Sequence, residues 1–117
     1  MTGRRWEFYS SPAGRDKIAD DIKRARLSRS ELARLELLLQ RIAERSTYPR
    51  DVKALRDGVF EGRPDGDHRI FRVVYAEVAC GVVLLALHFF EKRRQTEPKA
   101  IQLALDRLSD WRRRNHE

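Results

Sequence analysis

The amino-acid sequence predicts a single α+β domain whose elements follow the order β-α-α-β-β-β-α. Two stretches with helical spacing of apolar residues precede three strand-like segments, and a third helical stretch closes the chain. The 117 residues suit one domain with one core, and neither a linker nor an internal repeat divides them. We therefore expect residues 1–117 to form an antiparallel sheet covered on one face by an N-terminal helical hairpin and a C-terminal helix.

The first three elements are predicted from aromatic and capping residues. The run Trp6-Glu7-Phe8-Tyr9 favours a short first strand, and Ser10-Ser11-Pro12 then supplies a helix start. The second helix begins at a capping box, in which Ser28 and Glu31 each satisfy a free backbone N–H. It ends within residues 46–49, so two helices joined by a short turn form the expected hairpin.

The second half of the chain predicts three strands and a helix. The first strand covers residues 58–63, and the dense turn signal Arg63-Pro64-Asp65-Gly66-Asp67 separates it from the second, residues 69–75. Residues 82–90 are apolar at nearly every position, which is typical of a central strand covered on both faces. The last helix opens at Thr96 or Glu97.

The chain is strongly basic. It has 25 Lys and Arg against 18 Asp and Glu, a formal charge of +7, which favours polyanionic partners such as RNA, DNA, an acidic protein or a membrane surface. No stretch reaches the roughly 18 consecutive apolar residues of a membrane helix, and the N-terminus lacks the apolar core of a signal peptide. Cys80 is the only cysteine and supports no intramolecular disulfide. We expect a cytoplasmic protein with no membrane partner.

Basic side chains are concentrated on the predicted strands and at their ends. Arg63 and Arg69 flank one tight turn, and Lys92 and Arg93 follow the central strand, where side chains commonly line a pocket. Arginine suits bidentate phosphate contacts, and lysine supplies a movable point charge. The whole set comprises Lys53, Arg56, Arg63, Arg69, Arg72, Lys92, Arg93 and Arg94. A solvated charged surface is the alternative interpretation for any single member.

Other side chains give weaker signals. His88 lies on an apolar strand, which is compatible with a core histidine that has an internal partner or with a functional imidazole. Three scattered histidines and one cysteine have no metal-ligand spacing, so we expect no metal. Asp65 and Asp67 are interpreted as turn formers and not as magnesium ligands. No GxSxG, P-loop or GxGxxG motif occurs, and no cofactor is expected.

Taken together, several motifs resemble one protein family. They are Leu55 with Gly58-Val59-Phe60-Glu61-x-Arg63, then Arg69-Ile70-Phe71, then Leu84-Leu85-x-x-His88-x-Phe90-x-Lys92-Arg93, and finally Pro98 with Ile101-x-x-Ala104. This combination resembles the phage-derived Gp49-like and HigB proteins, which belong to the RelE-like toxins of bacterial toxin–antitoxin systems. The motifs cover about residues 50–108, and the helical hairpin before them matches in order only.

The resemblance implies a RelE-like fold and a metal-independent endoribonuclease, an mRNA interferase of a type II toxin–antitoxin system that cleaves mRNA on the ribosome. Its protein partner would be a cognate antitoxin, and DNA would be contacted only through that antitoxin. By the family's pattern, Arg63, Arg69 and the pair Lys92-Arg93 are the basic positions at the RNA phosphate. Lys53 is a looser match.

The expected chemistry is attack of a ribose 2′-OH on the adjacent phosphate. Arg63 and Arg69 are expected to stabilise the charge that grows on that phosphate. His88 is the more natural proton carrier, because Lys92 or Lys53 needs neighbouring positive charge to lower its pKa first. The candidate catalytic residues are therefore Arg63, Arg69, His88 and Lys92, and the candidate RNA-binding residues are Lys53, Arg56, Arg72, Arg93 and Arg94.

Two alternatives use the same fold. A non-catalytic RNA- or DNA-binding module would hold nucleic acid on the same basic face without forming a product, although no helix-turn-helix with a basic recognition helix is evident. A phage-derived interaction protein would have kept the fold and lost the activity. Growth arrest on induced expression, relieved by a neighbouring small open reading frame, would distinguish the toxin from both.

Overall fold

The computed structural model describes residues 3–93 and 98–117, which form a five-stranded sheet and three α-helices. The strands are β1 (Arg5–Phe8), β2 (Val52–Ala54), β3 (Val59–Gly62), β4 (Ile70–Val78) and β5 (Val83–Lys92). The helices are α1 (Lys17–Ala25), α2 (Arg29–Ala43) and α3 (Pro98–Arg114). The predicted start of the last helix at Thr96 or Glu97 lies outside the described residues. None of the described helices is long and apolar enough to cross a membrane.

The strands are ordered β1-β5-β4-β3-β2 across the sheet. Strands β2 to β5 pair antiparallel with their neighbours, as expected, whereas β1 runs parallel to β5 with Arg5 opposite Val83. The connection from β1 passes through two helices and three strands, so it is long enough to allow parallel pairing. The predicted α+β class and the order of the predicted elements are confirmed, and the sheet is mixed because of β1.

Strand β2 was missed by the sequence prediction. It has three residues and is mostly exposed, so it shows no alternation of apolar and polar residues. Asp57 and Gly58 connect it to β3 with φ values of 58° and 83°, as the central residues of a type I′ hairpin turn require. The Val59 N–H donates to the Arg56 carbonyl across this turn at 3.3 Å.

The first helix begins later than predicted. Pro12 and Gly14 belong to a turn, in which the Gly14 N–H donates to the Ser11 carbonyl at 2.8 Å. The helix cap is Asp16, whose carboxylate accepts hydrogen bonds from the first free N–H groups of α1. The expected start at Ser10-Ser11-Pro12 was therefore wrong, because residues 11–14 form a turn and Asp16 caps the helix after it.

Helices cover both faces of the sheet, which corrects the expectation of one covered face. Trp6 and Glu7 are adjacent on β1 and therefore point to opposite faces. Trp6 Nε1 donates to the Leu39 carbonyl of α2 at 2.7 Å, whereas Trp111 Nε1 of α3 donates to Glu7 Oε1 at 3.1 Å. Helices α2 and α3 thus lie on opposite faces, and β5 is buried between them over residues 83–87, as predicted for a central strand.

The start of α2 is fixed by the predicted capping box, which is confirmed. The buried Glu31 carboxylate accepts from the Ser28 N–H at 3.0 Å and from the Asp67 N–H at 3.1 Å. Arg69 donates to the same carboxylate at 2.8 Å. Glu31 therefore joins the turn before α2 to the loop that precedes β4.

We predict that Glu31 makes the stability of the fold depend on acid pH. The Ser28 backbone N–H, then Arg69 and the Asp67 N–H, lower the pKa of Glu31 from 4.5 to about 2 against the opposing effect of burial. The unfolded chain then binds this proton near pH 4.5 and the folded chain only near pH 2. The stabilisation is complete above pH 4.5 and is lost as the pH falls towards 2.

Urea unfolding between pH 7 and pH 2 measures this effect. We expect Glu31→Gln to be less stable than wild type at neutral pH and to lose less stability on acidification. Glu36→Gln, at an exposed position on the same helix, is the matched control and should follow wild type. A Glu31→Gln profile parallel to wild type over the whole range would contradict the prediction.

Candidate active site

One face of the sheet carries a row of side chains from four strands. The register places Lys53 of β2 opposite Glu61 of β3, Glu61 opposite Val74 of β4, and Val74 opposite His88 of β5. Residues directly opposed in neighbouring strands point to the same face. Lys53 and His88 therefore lie at the two ends of one row.

A second row lies beside it on the same face. Side chains two residues apart in a strand share a face, which adds Arg63 after Glu61 and Arg72 before Val74. The register also pairs Arg72 with Phe90 and Ile70 with Lys92. The resulting surface, which we call the α3 face because α3 borders it, carries Lys53, Arg63, Arg72, His88 and Lys92.

Two neighbouring hollows open on the α3 face. The first has a volume of about 310 Å³ and lies between β5 and α3, with His88, Phe90 and Lys92 on one side and Lys99 and Leu103 on the other. We call it the β5–α3 hollow. The second, of about 300 Å³, is lined by Arg50, Arg63, Asp65, Arg69, Ile70 and Arg72. The hollows are adjacent, because the pairs Arg72–Phe90 and Ile70–Lys92 join their walls.

A buried carboxylate holds two of the arginines side by side. Glu61 is 1% exposed, and its Oε1 accepts a hydrogen bond from Arg63 Nε at 3.2 Å while Arg72 Nε lies 3.3 Å away. Burial and the nearby Arg63 charge lower the pKa of Arg72, and Glu61 counteracts them. The two guanidinium groups are therefore fixed beside each other in the absence of any ligand.

His88 has a similar anchor on its Nδ1 atom. Asp21 of α1 is buried and its Oδ2 lies 3.0 Å from His88 Nδ1, 3.2 Å from the Phe89 nitrogen and 3.3 Å from Arg107 Nη1. Burial acts to raise the pKa of Asp21, but the hydrogen bonds from His88 and Phe89 and the charge of Arg107 hold it below its usual value. The His88 ring stacks on Phe90, with 4.9 Å between their centroids.

The other predicted residues lie at different places. Arg69 borders the second hollow, but its guanidinium is turned away from the α3 face: it donates to the Ala25 and Arg26 carbonyls at 2.9 and 3.0 Å and stacks 4.8 Å above Phe71. Arg56 pairs with Asp57 at 2.8 Å beyond the end of β2.

Two further predicted positions follow β5 in the sequence. Arg93 is 84% exposed and borders the β5–α3 hollow. Arg94 lies outside the described residues. The structure thus brings together Lys53, Arg63, Arg72, His88 and Lys92. Arg69 borders the hollow of Arg63 and Arg72, but its guanidinium is held by Glu31 and two carbonyls.

Three residues of this site were not singled out from the sequence. They are Asp21, Glu61 and Arg107. One usable signal for a buried functional residue at Asp21 was present in the sequence, because this carboxylate lies between Ile18 and Ile22 on the apolar side of α1. Among the described residues, no group of three or more His, Cys, Asp or Glu side chains is arranged to hold a metal ion.

We predict that Arg69→Ala destabilises the fold, since it removes the charged donor to the buried Glu31 carboxylate and the Arg69 hydrogen bonds to two carbonyls. Loss of a donor to a buried charged group costs about 2–3 kcal/mol. Chemical denaturation measures the loss. Arg93→Ala removes an exposed arginine and should change stability by less than about 0.5 kcal/mol. Equal stabilities of the two variants would contradict the structural role of Arg69.

Comparisons with known proteins agree with this architecture. A family model described as phage-derived protein Gp49-like matches residues 16–109. No curated protein sequence matches the chain. A free-state structure of a mutant of the E. coli toxin RelE is similar over 92% of this chain and 98% of that one, with a TM-score of 0.56 and 13% identity. At this identity the similarity shows the fold alone, and the predicted RelE-like fold is confirmed.

Proposed function

This chain belongs to the Gp49-like family of phage-derived proteins, and we propose on that premise that it is the toxin of a type II toxin–antitoxin pair. Its activity would be metal-independent cleavage of mRNA on the ribosome, in the cytoplasm, and a cognate antitoxin would neutralise it. The observation that supports this most directly is the α3 face. There, two fixed arginines lie next to an anchored histidine and a lysine.

The reaction needs a base, an acid and cations. A ribose 2′-oxygen attacks the adjacent phosphorus and loses its proton to the base, while the bond from phosphorus to the 5′-oxygen breaks. The leaving oxygen takes a proton from the acid, so the products are a 2′,3′-cyclic phosphate and a 5′-hydroxyl. No redox step or metal is required.

His88 is proposed as the base. When a neutral imidazole donates from Nδ1 to a carboxylate, Nε2 is left as the acceptor. The Asp21 contact at 3.0 Å favours this form, and His88 lines the β5–α3 hollow. Lys92, which lines the same hollow, is proposed as the acid for the 5′-oxygen.

Arg63 and Arg72 are proposed to bind the phosphate as its charge grows. Glu61 fixes them in advance, so they need little reorientation during the reaction. Arg69 is reassigned from catalysis to the fold, because its guanidinium is held by Glu31 and two carbonyls. Lys53, at the exposed end of the first row, and Arg93 are proposed to bind flanking phosphates.

We predict that Arg63→Gln lowers the rate of RNA cleavage by about 10²–10³-fold, the usual effect of losing one donor to a developing charge. Arg63 is the preferred position for substitution, because Arg72 still neutralises Glu61 when Arg63 is replaced. Single-turnover cleavage of ribosome-bound mRNA measures the effect, and thermal unfolding checks the fold. Arg112→Gln, at an exposed position near the end of α3, is the charge-matched control.

Three results would contradict parts of this proposal. Cleavage by Arg63→Gln at the wild-type rate would exclude its role at the phosphate. Cleavage of RNA that carries a 2′-deoxy nucleotide at the scissile position would exclude the 2′-OH attack. RNA binding by wild type without any product would favour the non-catalytic binding module.

We predict that Asp21→Ala releases the proton position on His88. The variant removes the one oxygen, Oδ2, that lies against both His88 Nδ1 and the Phe89 N–H, so the ring loses the contact that favours a proton on Nδ1. Cleavage should fall by about 10²–10⁴-fold, the usual contribution of a general base. Long-range ¹H–¹⁵N NMR correlations of the ring report the tautomer independently of activity. A ring that stays protonated on Nδ1 to the wild-type extent in this variant would contradict the anchoring role of Asp21.

A further inference from the structure

A basic surface leads away from the β5–α3 hollow and across α1. It comprises Arg15, Lys23, Arg24, Arg26 and Arg93, and we call it the α1 track. We propose that the α1 track binds the backbone of single-stranded RNA beyond the cleaved phosphate. This inference rests on the RNA-directed function proposed above and adds a second, non-catalytic contact region to it.

The track is continuous with the candidate active site. The β5–α3 hollow shares His88, Phe90, Glu91 and Arg93 with a hollow of about 250 Å³ against α1, and the Glu91 carboxylate there lies 3.9 Å from Arg93. That hollow in turn shares Arg24 with a third of about 400 Å³ on the outer side of α1. A flexible strand that leaves His88 can therefore pass around the edge of β5 and over α1 without leaving a concave surface.

The charges along the track suit phosphates. The third hollow is lined by four basic side chains and one carboxylate, and that carboxylate, Asp20, pairs with Arg15. Lys23 and Arg26 are exposed and form no ion pair within residues 3–93 and 98–117. Arg24 is 75% exposed and contacts Asp21 at 3.3 Å. Cations in such a groove track a nucleic-acid backbone without selecting a sequence.

The backbone along the outer edge of β5 disfavours a protein strand as the partner that binds beside the α1 track. Strand β1 ends opposite Ala86, so no described strand pairs with the following residues of β5 on that side. However, the Leu87 carbonyl accepts from Arg107 at 2.7 Å and the Phe89 N–H donates to Asp21 at 3.2 Å. An added peptide strand would find these backbone groups already satisfied.

An aromatic side chain lies where the track begins. Phe90 is half-buried and borders both the β5–α3 hollow and the hollow against α1. Single-stranded nucleic acids are commonly held by an aromatic ring that stacks on a base, followed by cations along the backbone. The order of Phe90, Arg93, Arg24 and Lys23 along the surface has this pattern.

The length of the bound RNA provides the test. Two fluorescently labelled RNAs with 2′-O-methyl groups, which lack the nucleophile, are compared by anisotropy: a trinucleotide that fills only the β5–α3 hollow, and a strand of about 12 nucleotides. We expect Lys23→Gln/Arg24→Gln to weaken binding of the longer RNA about tenfold at low salt and to leave the trinucleotide unaffected. The slope of log K against log salt should fall by about 1.4 for the longer RNA, or about 0.7 per lost phosphate contact.

The matched control removes two exposed arginines that line none of the three hollows, in the variant Arg45→Gln/Arg112→Gln. It should bind both RNAs with wild-type slopes. Three results would overturn the proposed role of the α1 track. They are equally weakened binding of both RNAs by Lys23→Gln/Arg24→Gln, unchanged binding of both RNAs by that variant, and binding of the longer RNA that the control variant weakens to the same extent. Because the probes cannot be cleaved, an inactive wild type would refute the nuclease proposal without deciding this one.

Discussion

The buried ion cluster at Glu61 is the constraint on which the α3 face depends. Two guanidinium groups repel each other, and neither Arg63 nor Arg72 is fully solvated, so their proximity requires a carboxylate between them. Burying that carboxylate is itself unfavourable unless both cations stay in place. Strands β3 and β4 therefore carry polar side chains on this part of the α3 face. Helix α3 packs further along the sheet, through Ala104, Leu108 and Trp111.

Asp21 repeats this arrangement at the edge of the sheet. It is a buried residue of α1, and it fixes His88 while Arg107 balances its charge. Replacing either whole ion cluster by well-packed apolar residues would often be neutral or stabilising, so neither cluster is needed for stability as such. Two such carboxylates, each holding a group that borders a hollow, are more typical of a functional surface than of a structural one.

Local patterns in the sequence were enough to predict the element order, the capping box at Ser28 and the central strand. They missed β2, because three exposed residues carry no periodicity, although Asp57-Gly58 is a strong hairpin signal. The position of Arg69 could not be deduced from its proximity to the turn, because one residue of register decides which face it occupies. Asp21 and His88 are 67 residues apart, so no local pattern could reveal their contact.

The parallel pairing of β1 with β5 has a consequence for how the molecule is made. Arg5 is synthesised well before its partner Val83, and the whole of α3 follows later still. Contacts that are so distant in sequence form late and slow folding. A chain in which only the first half has been made therefore has neither the strand that carries His88 nor the helix that walls its hollow, so the candidate site is assembled only after β5 and α3 are present.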